Sequence, residues 1–417
     1  MIDISVIIPV YGVEDYLADC LNSVLGQSLQ NLEVICVDDA SPDRCPEILD
    51  DFAEQDARLK VIHLKENRRQ GYARNLGLEQ ARGKYSYFLD SDDMIHAETL
   101  QELYETAERD RLDGIFFDSE VLFEEERFSG IDYEPLRKKH YEERVYGGQE
   151  LFEQFYEADD WNVYIWRQFW RTDFLKENRI CFPESTEHED ESFSVEAAVL
   201  AKRVRYLPKA YAIHRYRADS VMTRAKSPRD FHGYFKVFRE LALFKKDNHI
   251  KSPAYDDNLA RLYELIELYY PLFVQEDRAG DWFPEQSLRE EYELFASEQE
   301  ARSILGQRIR NAWEPLMKYN HVFLYGAGRI AKRVIQQIRM TALNIEGILV
   351  TTGEGNPVRV ENYPVIPLAE WAVRENTAVV MSVAESVHRE VAALLEGKEC
   401  DIYAYYHGHV YPFRNEK

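Results

Sequence analysis

Cysteine is scarce and unpatterned in this chain. The five thiols, Cys20, Cys36, Cys45, Cys181 and Cys400, are odd in number and share no metal-ligand spacing, so reduced thiols are expected in place of a disulfide framework. No apolar run approaches the length of a membrane-spanning helix, and Met1-Ile2-Asp3 enters a strand-like run without the charged and apolar regions of a secretory signal. A cytoplasmic location is the expectation. Positive charge is short as well: 51 Lys and Arg face 75 Asp and Glu, a formal charge of −24. That balance argues against general nucleic-acid binding and against electrostatic attachment to anionic lipid, both of which use basic surfaces. Repeats and low-complexity linkers are missing too. What remains is ample core material, because 45% of the 417 residues are hydrophobic, enough for the two or three domains that this length suggests.

The most informative stretch that is present runs from Tyr85 to Asp93, an apolar strand pattern ending in Asp90-Ser91-Asp92-Asp93. Like charges packed together raise each other's pKa unless a cation neutralises them. A hard divalent ion is the simplest neutraliser, since it prefers oxygen ligands and leaves positions for substrate phosphates. The alternative is a strand followed by an Asp-rich helix cap, with Met94 to Glu108 as the helix. Upstream, strand and helix signals alternate: a strand at Ile4 to Pro9, a helix carrying Leu17, Leu21, Val24 and Leu25, a strand from Leu32 to Val37 running into Asp38-Asp39, a helix with Ile48, Leu49 and Phe52, a strand from Leu59 to Leu64, and a helix from Gly71 to Arg82. This is the pattern of an α/β domain with a largely parallel sheet, in which ligands bind outside the carboxyl ends of the strands.

From about 120 to 220 the signals lose regularity around the acidic knot Glu187-His188-Glu189-Asp190-Glu191, and from Ser227 to about Lys318 the reading is helical, with apolar stripes that fit core or inter-domain packing. Val322 to Ala331 then reads strand, glycine turn and helix start, and further strands at Gly347 to Val350 and Ala378 to Val383 complete a small α/β unit. The boundaries expected are residues 1–225, 226–318 and 319–417.

With these residues in hand, the N-terminal 220 or so resemble a family 2 glycosyltransferase of the GT-A fold. Ser5-Val6-Ile7-Ile8-Pro9-Val10-Tyr11 is similar to that family's opening strand, Val37-Asp38-Asp39-Ala40-Ser41 to its second acidic strand end, and Ala73-Arg74-Asn75-Leu76-Gly77-Leu78 to the helix before the aspartates. Phe88 to Asp93 resembles its metal-binding Asp-x-Asp element, and Phe182-Pro183 followed by Glu189-Asp190-Glu191-Ser192-Phe193 its Glu-Asp pair. Five matches in the right order are far more specific than any one of them.

The resemblance implies an inverting, metal-dependent transfer of a sugar from a nucleotide donor, UDP-linked by expectation, to a glycan or lipid-linked acceptor in bacterial surface polysaccharide assembly. Pro9, Val10, Tyr11 and Asp39 would line the nucleoside pocket, Asp39 accepting from the imide N–H of uracil; Asp39 as a turn former is the alternative. Asp90 and Ser91 would lie by the ribose, Asp92 with Asp90 would hold Mn²⁺ or Mg²⁺, and the ion would take up charge as the diphosphate departs. Arg74 would pair with the diphosphate or with Asp90. Asp190 is the expected general base, oriented by Glu189, against the alternative of a solvated acidic helix start. His214 stands where such enzymes close the site with a basic or metal-binding segment before Ser220-Val221-Met222-Thr223, and Arg215 and Arg217 could instead clamp phosphates. Trp166 and Arg167 fall where the family places acceptor-side residues.

Two departures stand out. Asn67-Arg68-Arg69-Gln70-Gly71 lacks the first glycine of the common Asn-x-Gly pattern, leaving Arg69 to reach the ligand, and Cys45 replaces a residue that is usually small and polar. The C-terminal Gly326-x-Gly328-x-x-Ala331 turn resembles small Rossmann-like domains appended to glycosyltransferases, but the strand at Gly347 to Val350 ends in Thr351-Thr352, and Glu346 sits at its start. A structural or partner-docking role is therefore expected there, over dinucleotide binding. Peripheral association at the inner membrane face and a homo-oligomer are compatible with the resemblance. Two other functions compete with this one: nucleotidyl transfer, which the missing Gly-rich basic phosphate loop opposes, and a catalytically silent sugar-nucleotide scaffold, which the retained acidic cluster opposes.

Overall fold

In the computed structural model the described residues are 2–124, 141–217, 226–274, 286, 288–296, 313–339, 343–383, 387–406 and 409–413. The expectations placed on 220–223 and on most of 275–312 lie outside them. The chain divides into two compact units, Met1–Arg278 and Ala279–Lys417.

The first unit is built on β1 (Ile4–Val10), α1 (Glu14–Leu25), β2 (Leu32–Asp38), α2 (Cys45–Gln55), β3 (Leu59–His63), α3 (Arg69–Gln80) and β4 (Tyr85–Phe88). The chain continues through β5 (Met94–Ile95), α4 (Thr99–Asp110), β6 (Gly114–Phe123), α5 (Gly148–Glu157), β7 (Gln168–Arg171), α6 (Thr172–Glu177), α7 (Glu189–Leu200) and β8 (Val204–Tyr216). Helices α8 (Pro228–Asp247) and α9 (Pro253–Val274) complete this unit. The sheet order is β3-β2-β1-β4-β7-β6-β8-β5. Its first four strands are parallel, β7 runs antiparallel to both β4 and β6, and β6 and β8 are parallel.

Successive β1 side chains face opposite sides of the sheet. Ile4, Val6, Ile8 and Val10 share a core with Leu17, Leu21 and Val24 of α1, Leu49 of α2, and Leu100 and Leu103 of α4. Ile7 points to the other face, where α3 approaches so closely that a Cβ on Gly77 would stand 2.4 Å from Ile7 Cγ2. Both faces are covered, which is why β1 and β2 read as continuous apolar runs. The helix expected from Met94 begins only at Thr99, because Met94 and Ile95 pair with Ile213 and Ala212 of β8 as a short edge strand.

The second unit holds β9 (His321–Tyr325), α10 (Arg329–Arg339), β10 (Gly347–Val350), β11 (Arg359–Val360), β12 (Tyr363–Pro367), β13 (Thr377–Met381), α11 (His388–Leu395), β14 (Cys400–Tyr406) and β15 (His409–Pro412). Its sheet order is β11-β12-β10-β9-β13-β14-β15, with parallel inner strands and an antiparallel strand at each edge. Gly326 carries φ +103°, and a Cβ there would stand 2.3 Å from Val383 Cγ1, so the turn after β9 needs glycine on both counts. Glu346, at the start of β10, is held by His321 Nδ1 at 2.6 Å and by Arg374.

Candidate active site

Parallel pairing brings three polar strand ends together. Val10 lies opposite Asp38 in the register, Asp39 donates its backbone N–H to the Val10 carbonyl at 2.9 Å, and Leu89 donates to the Ile7 carbonyl at 3.0 Å, so Tyr11, Asp39 and Asp90 leave the sheet on one edge. Pro9 and Val10 are buried in the strand, while Tyr11 is 50% exposed. Asp39 is buried, and its two carboxylate oxygens accept the backbone N–H groups of Arg68 (2.6 Å) and Arg69 (2.7 Å). Burial pushes its carboxyl up, the two N–H donors partly offsetting the rise. Arg69, at φ +70°, takes the left-handed turn usually given to glycine. Its guanidinium pairs with Glu187 at 2.7 Å.

Arg74 sits at the centre. Its side chain is 3% exposed and bridges Asp90 (2.6 Å) and Glu189 (2.5 Å). Burial works against its charge, but Asp90 and Glu189 outweigh that cost and hold its proton more firmly than usual. Helix α3 can deliver Arg74 this close to the Glu189 segment because Gly71 has no side chain: a Cβ there would stand 2.4 Å from the Pro183 carbonyl oxygen and 3.3 Å from Glu189 Cγ. Asn75 locks the approach, exchanging hydrogen bonds with the Phe182 backbone at 2.8 Å in each direction. Phe182 in turn stacks on Phe193 of α7, with centroids 4.1 Å apart.

The acidic knot is not a solvated face. Glu187 pairs with Arg69 of α3, His188 Nε2 lies 3.1 Å from Asp230 of α8, Glu189 pairs with Arg74 of α3, and Glu191 pairs with Arg261 of α9 at 2.5 Å. Asp190, in the first turn of α7, makes no hydrogen bond or ion pair among the described residues. Burial, and then the charges of Glu189 and Glu191, hold its carboxyl well above the ordinary range; Arg74 opposes them and Asp90 adds to the rise. The carboxyl is thus poised closer to neutrality than a surface aspartate.

At the end of β4, Ser91 is buried, and Arg217 places both Nε and Nη2 2.9 Å from Asp92 Oδ2. Asp92 Oδ1 accepts no hydrogen bond among the described residues. Arg215 is spent on the turn itself: its Nε donates to the Asp92 carbonyl at 3.0 Å and its Nη2 to Asp19 at 3.0 Å.

Two of the expected residues have protein partners of their own. His214 Nδ1 lies 3.0 Å from Asp93, which is fully buried and also accepts the Arg215 N–H at 2.8 Å. Burial alone would lower the His214 imidazole, but Asp93, with Asp92 and Asp90 behind it, raises it. Arg167, expected on the acceptor side, is 1% exposed, with Nε on the Phe117 carbonyl (3.1 Å) and Nη2 on Asp118 (2.7 Å). Trp166 is also buried, stacked against Tyr164 (5.3 Å between centroids) and His214 (4.9 Å). Half-buried Tyr164, whose hydroxyl feels the Asp190 charge, is one aromatic beside the acidic helix. Sequence reasoning missed it, although it lies two positions before Trp166. Asp230 and Arg261 were missed as well. Among the described residues, no group of three or more His, Cys, Asp or Glu side chains forms a metal cage, and no helix is long and apolar enough to cross a membrane.

The mixed α/β sheet, with an Asp-x-Asp turn at its edge and Arg74 bridging Asp90 and Glu189, has the GT-A fold, and the comparisons agree. Residues 5–160 match the family description Glycosyl transferase family 2; this part of the chain is a family 2 glycosyltransferase domain. The uncharacterized glycosyltransferase EpsJ of Bacillus subtilis is 34% identical over 221 residues, 52% of this chain and 62% of EpsJ. The poly(ribitol-phosphate) beta-N-acetylglucosaminyltransferase TarS of Staphylococcus aureus is 30% identical over 250 residues, 58% of this chain and 40% of TarS. The crystal structure of TarS residues 1–349 in complex with UDP-GlcNAc superposes with TM-score 0.51 at 25% identity, covering 69% of this chain and 77% of that one. The chain thus spans less than two thirds of the length of either of these two relatives.

Proposed function

We propose that the protein is an inverting glycosyltransferase that moves a sugar from a nucleotide-sugar donor, UDP-linked, to a glycan or lipid-linked acceptor in bacterial surface polysaccharide assembly. One observation carries this reading: four of the five residues from Glu187 to Glu191 are tied to partners on α3, α8 and α9, and Asp190 is the one with no hydrogen bond or ion pair among the described residues, within electrostatic reach of Arg74 and Asp90. A carboxylate held in place by its neighbours, with a raised proton affinity and free lone pairs, has the properties of a general base.

In this reading Tyr11 offers its exposed ring to the base. Asp39 keeps a second lone pair on each oxygen for the imide N–H of uracil. Arg74 holds Asp90 and Glu189 in place through its two ion pairs. Asp190 takes the proton of the acceptor hydroxyl as its oxygen bonds to the anomeric carbon; the bond from that carbon to the diphosphate breaks on the opposite face, and the nucleoside diphosphate leaves. The residues also suit a divalent ion, Mn²⁺ or Mg²⁺. Such ions are commonly held by one or two carboxylates together with substrate phosphates and waters, and Asp92 Oδ1 is a carboxylate oxygen with no competing donor among the described residues. Asp92 would hold the ion, with Asp90 next to it; when bound, it neutralises the departing diphosphate. His214 meets Asp93 through Nδ1 beneath this turn.

UDP titrated calorimetrically into the wild-type protein should bind tighter with Mn²⁺ or Mg²⁺ than in chelator, and Asp92→Ala should erase the difference. Equal affinity with and without the ion in the wild type would remove the metal from the account. A donor screen following nucleotide release tests the activity itself.

A further inference from the structure

Helices α8 and α9 lie outside residues 5–160, the part that matches the family description, yet they grip the acidic segment closely. Asp230 of α8 is fully buried and accepts from His188, whose ring stacks on Tyr234 at 3.9 Å between centroids. The helix comes so near that a Cβ on Gly233 would stand 2.4 Å from the Glu187 carbonyl oxygen. From α9, Arg261 reaches Glu191, the residue after Asp190, with Nη2 at 2.5 Å, and is itself steadied by Asn258 Oδ1 at 3.1 Å.

We propose that Arg261 is a positioning residue for catalysis: acting through Glu191, it fixes the first turn of α7 and thereby the place of the Asp190 carboxylate. The inference rests on the reading of Asp190 as the base. Glu191 is 7% exposed and stands beside a second carboxylate. Without its guanidinium partner it must take up a proton or turn toward water, because an uncompensated buried charge is costly. Either outcome moves the helix turn that carries Asp190. The donor-side residues sit on β1 and α3 or just past the ends of β1, β2 and β4, whereas the hydrogen bonds of Arg261 go to Glu191 and Asn258. Loss of Arg261 therefore acts on the chemical step and leaves donor binding alone.

The test is steady-state nucleotide release from whichever of a panel of UDP- and GDP-sugars the wild-type chain consumes fastest. Arg261→Gln should lower kcat by about 10-fold or more, since a displacement on the order of 1 Å in a reacting group costs up to ~10²-fold, while donor KM stays within about two-fold. Arg261→Lys, which keeps the charge, should recover most of the loss. In an Asp190→Asn background the Arg261→Gln change should cost almost nothing further, because residues acting as one unit are strongly non-additive. If Arg261→Gln misfolds, Glu191→Gln/Arg261→Gln, an amide pair in place of the ion pair, carries the same comparison. An Arg261→Gln protein with normal kcat overturns the inference while Asp190→Asn is still inactive, and so does a loss of the same size in both backgrounds, which would mark a merely structural role. A near-normal Asp190→Asn protein, or a wild type that consumes no donor, would instead bring down the proposed function and this inference with it.

Discussion

Replacing Arg167 by methionine separates a core role from an acceptor role. The Arg167 and Asp118 side chains are 2% and 3% exposed and 2.7 Å apart, and the other Asp118 oxygen accepts from the Tyr206 hydroxyl. The Arg167→Met change removes two hydrogen bonds and takes the guanidinium away from the buried Asp118 carboxylate. Breaking one partner out of a buried pair costs about 3–5 kcal/mol. At roughly 2–4 °C per kcal/mol for a unit of this size, the melting transition of the first unit should fall by on the order of 10 °C. Neutral replacement of both partners is far milder, so Arg167→Met/Asp118→Asn should regain much of the loss. Differential scanning calorimetry of the full chain reads both variants. An Arg167→Met protein that melts within about 2 °C of wild type yet has lost sugar transfer would refute the burial argument and return Arg167 to the acceptor side.

Two further outcomes concern the frame of the site. Glu33 is buried among Ser5, Lys60 and Arg82; burial pushes its carboxyl up, but those partners outweigh it and bring it from 4.5 down to about 2. A folded value below the unfolded one gives stability that is present above the unfolded value and lost as pH falls through the folded one. The advantage of wild type over Glu33→Gln in urea midpoint should therefore be full at neutral pH and shrink from pH 4.5 toward about 2; parallel curves across that window would count against the assignment. Gly71→Ala should cost about 1–3 kcal/mol, the usual scale of overpacking, and lower turnover with it, because its Cβ would collide with the Pro183 carbonyl and press on Glu189. A Gly71→Ala protein with unchanged melting temperature and turnover would mean that this segment yields freely.

Much of the site was legible because its motifs are local. A strand that ends in aspartates must deliver them to a sheet edge, and the alternation of strands and helices places Tyr11, Asp39 and Asp90 on the same edge. Partner choice was not legible. Asp118 lies 49 residues from Arg167 and Arg261 lies 70 from Glu191, and no local spacing announces either pair. His214 was expected as a metal ligand because it stands where GT-A enzymes close the site; its partner Asp93, brought to it by the register of β8 against β5, Met94 opposite Ile213, was not legible. The start of α4 was misplaced for the same reason: Met94-Ile95 has no helix-breaking residue, and only its pairing with β8 makes it a strand.

The central claim is that Asp190 takes the acceptor proton, and the most direct measurement is turnover of Asp190→Asn alongside its affinity for UDP in the presence of Mn²⁺. The substitution keeps the shape and removes the base, so nucleotide release from the best donor should fall by roughly 10²-fold or more, the scale of a general-base contribution, while UDP affinity stays close to wild type. Near-normal turnover would contradict the account and move the base elsewhere, with Glu189 the next carboxylate to test; lost UDP binding in a folded protein would contradict it differently, placing Asp190 in the nucleotide site.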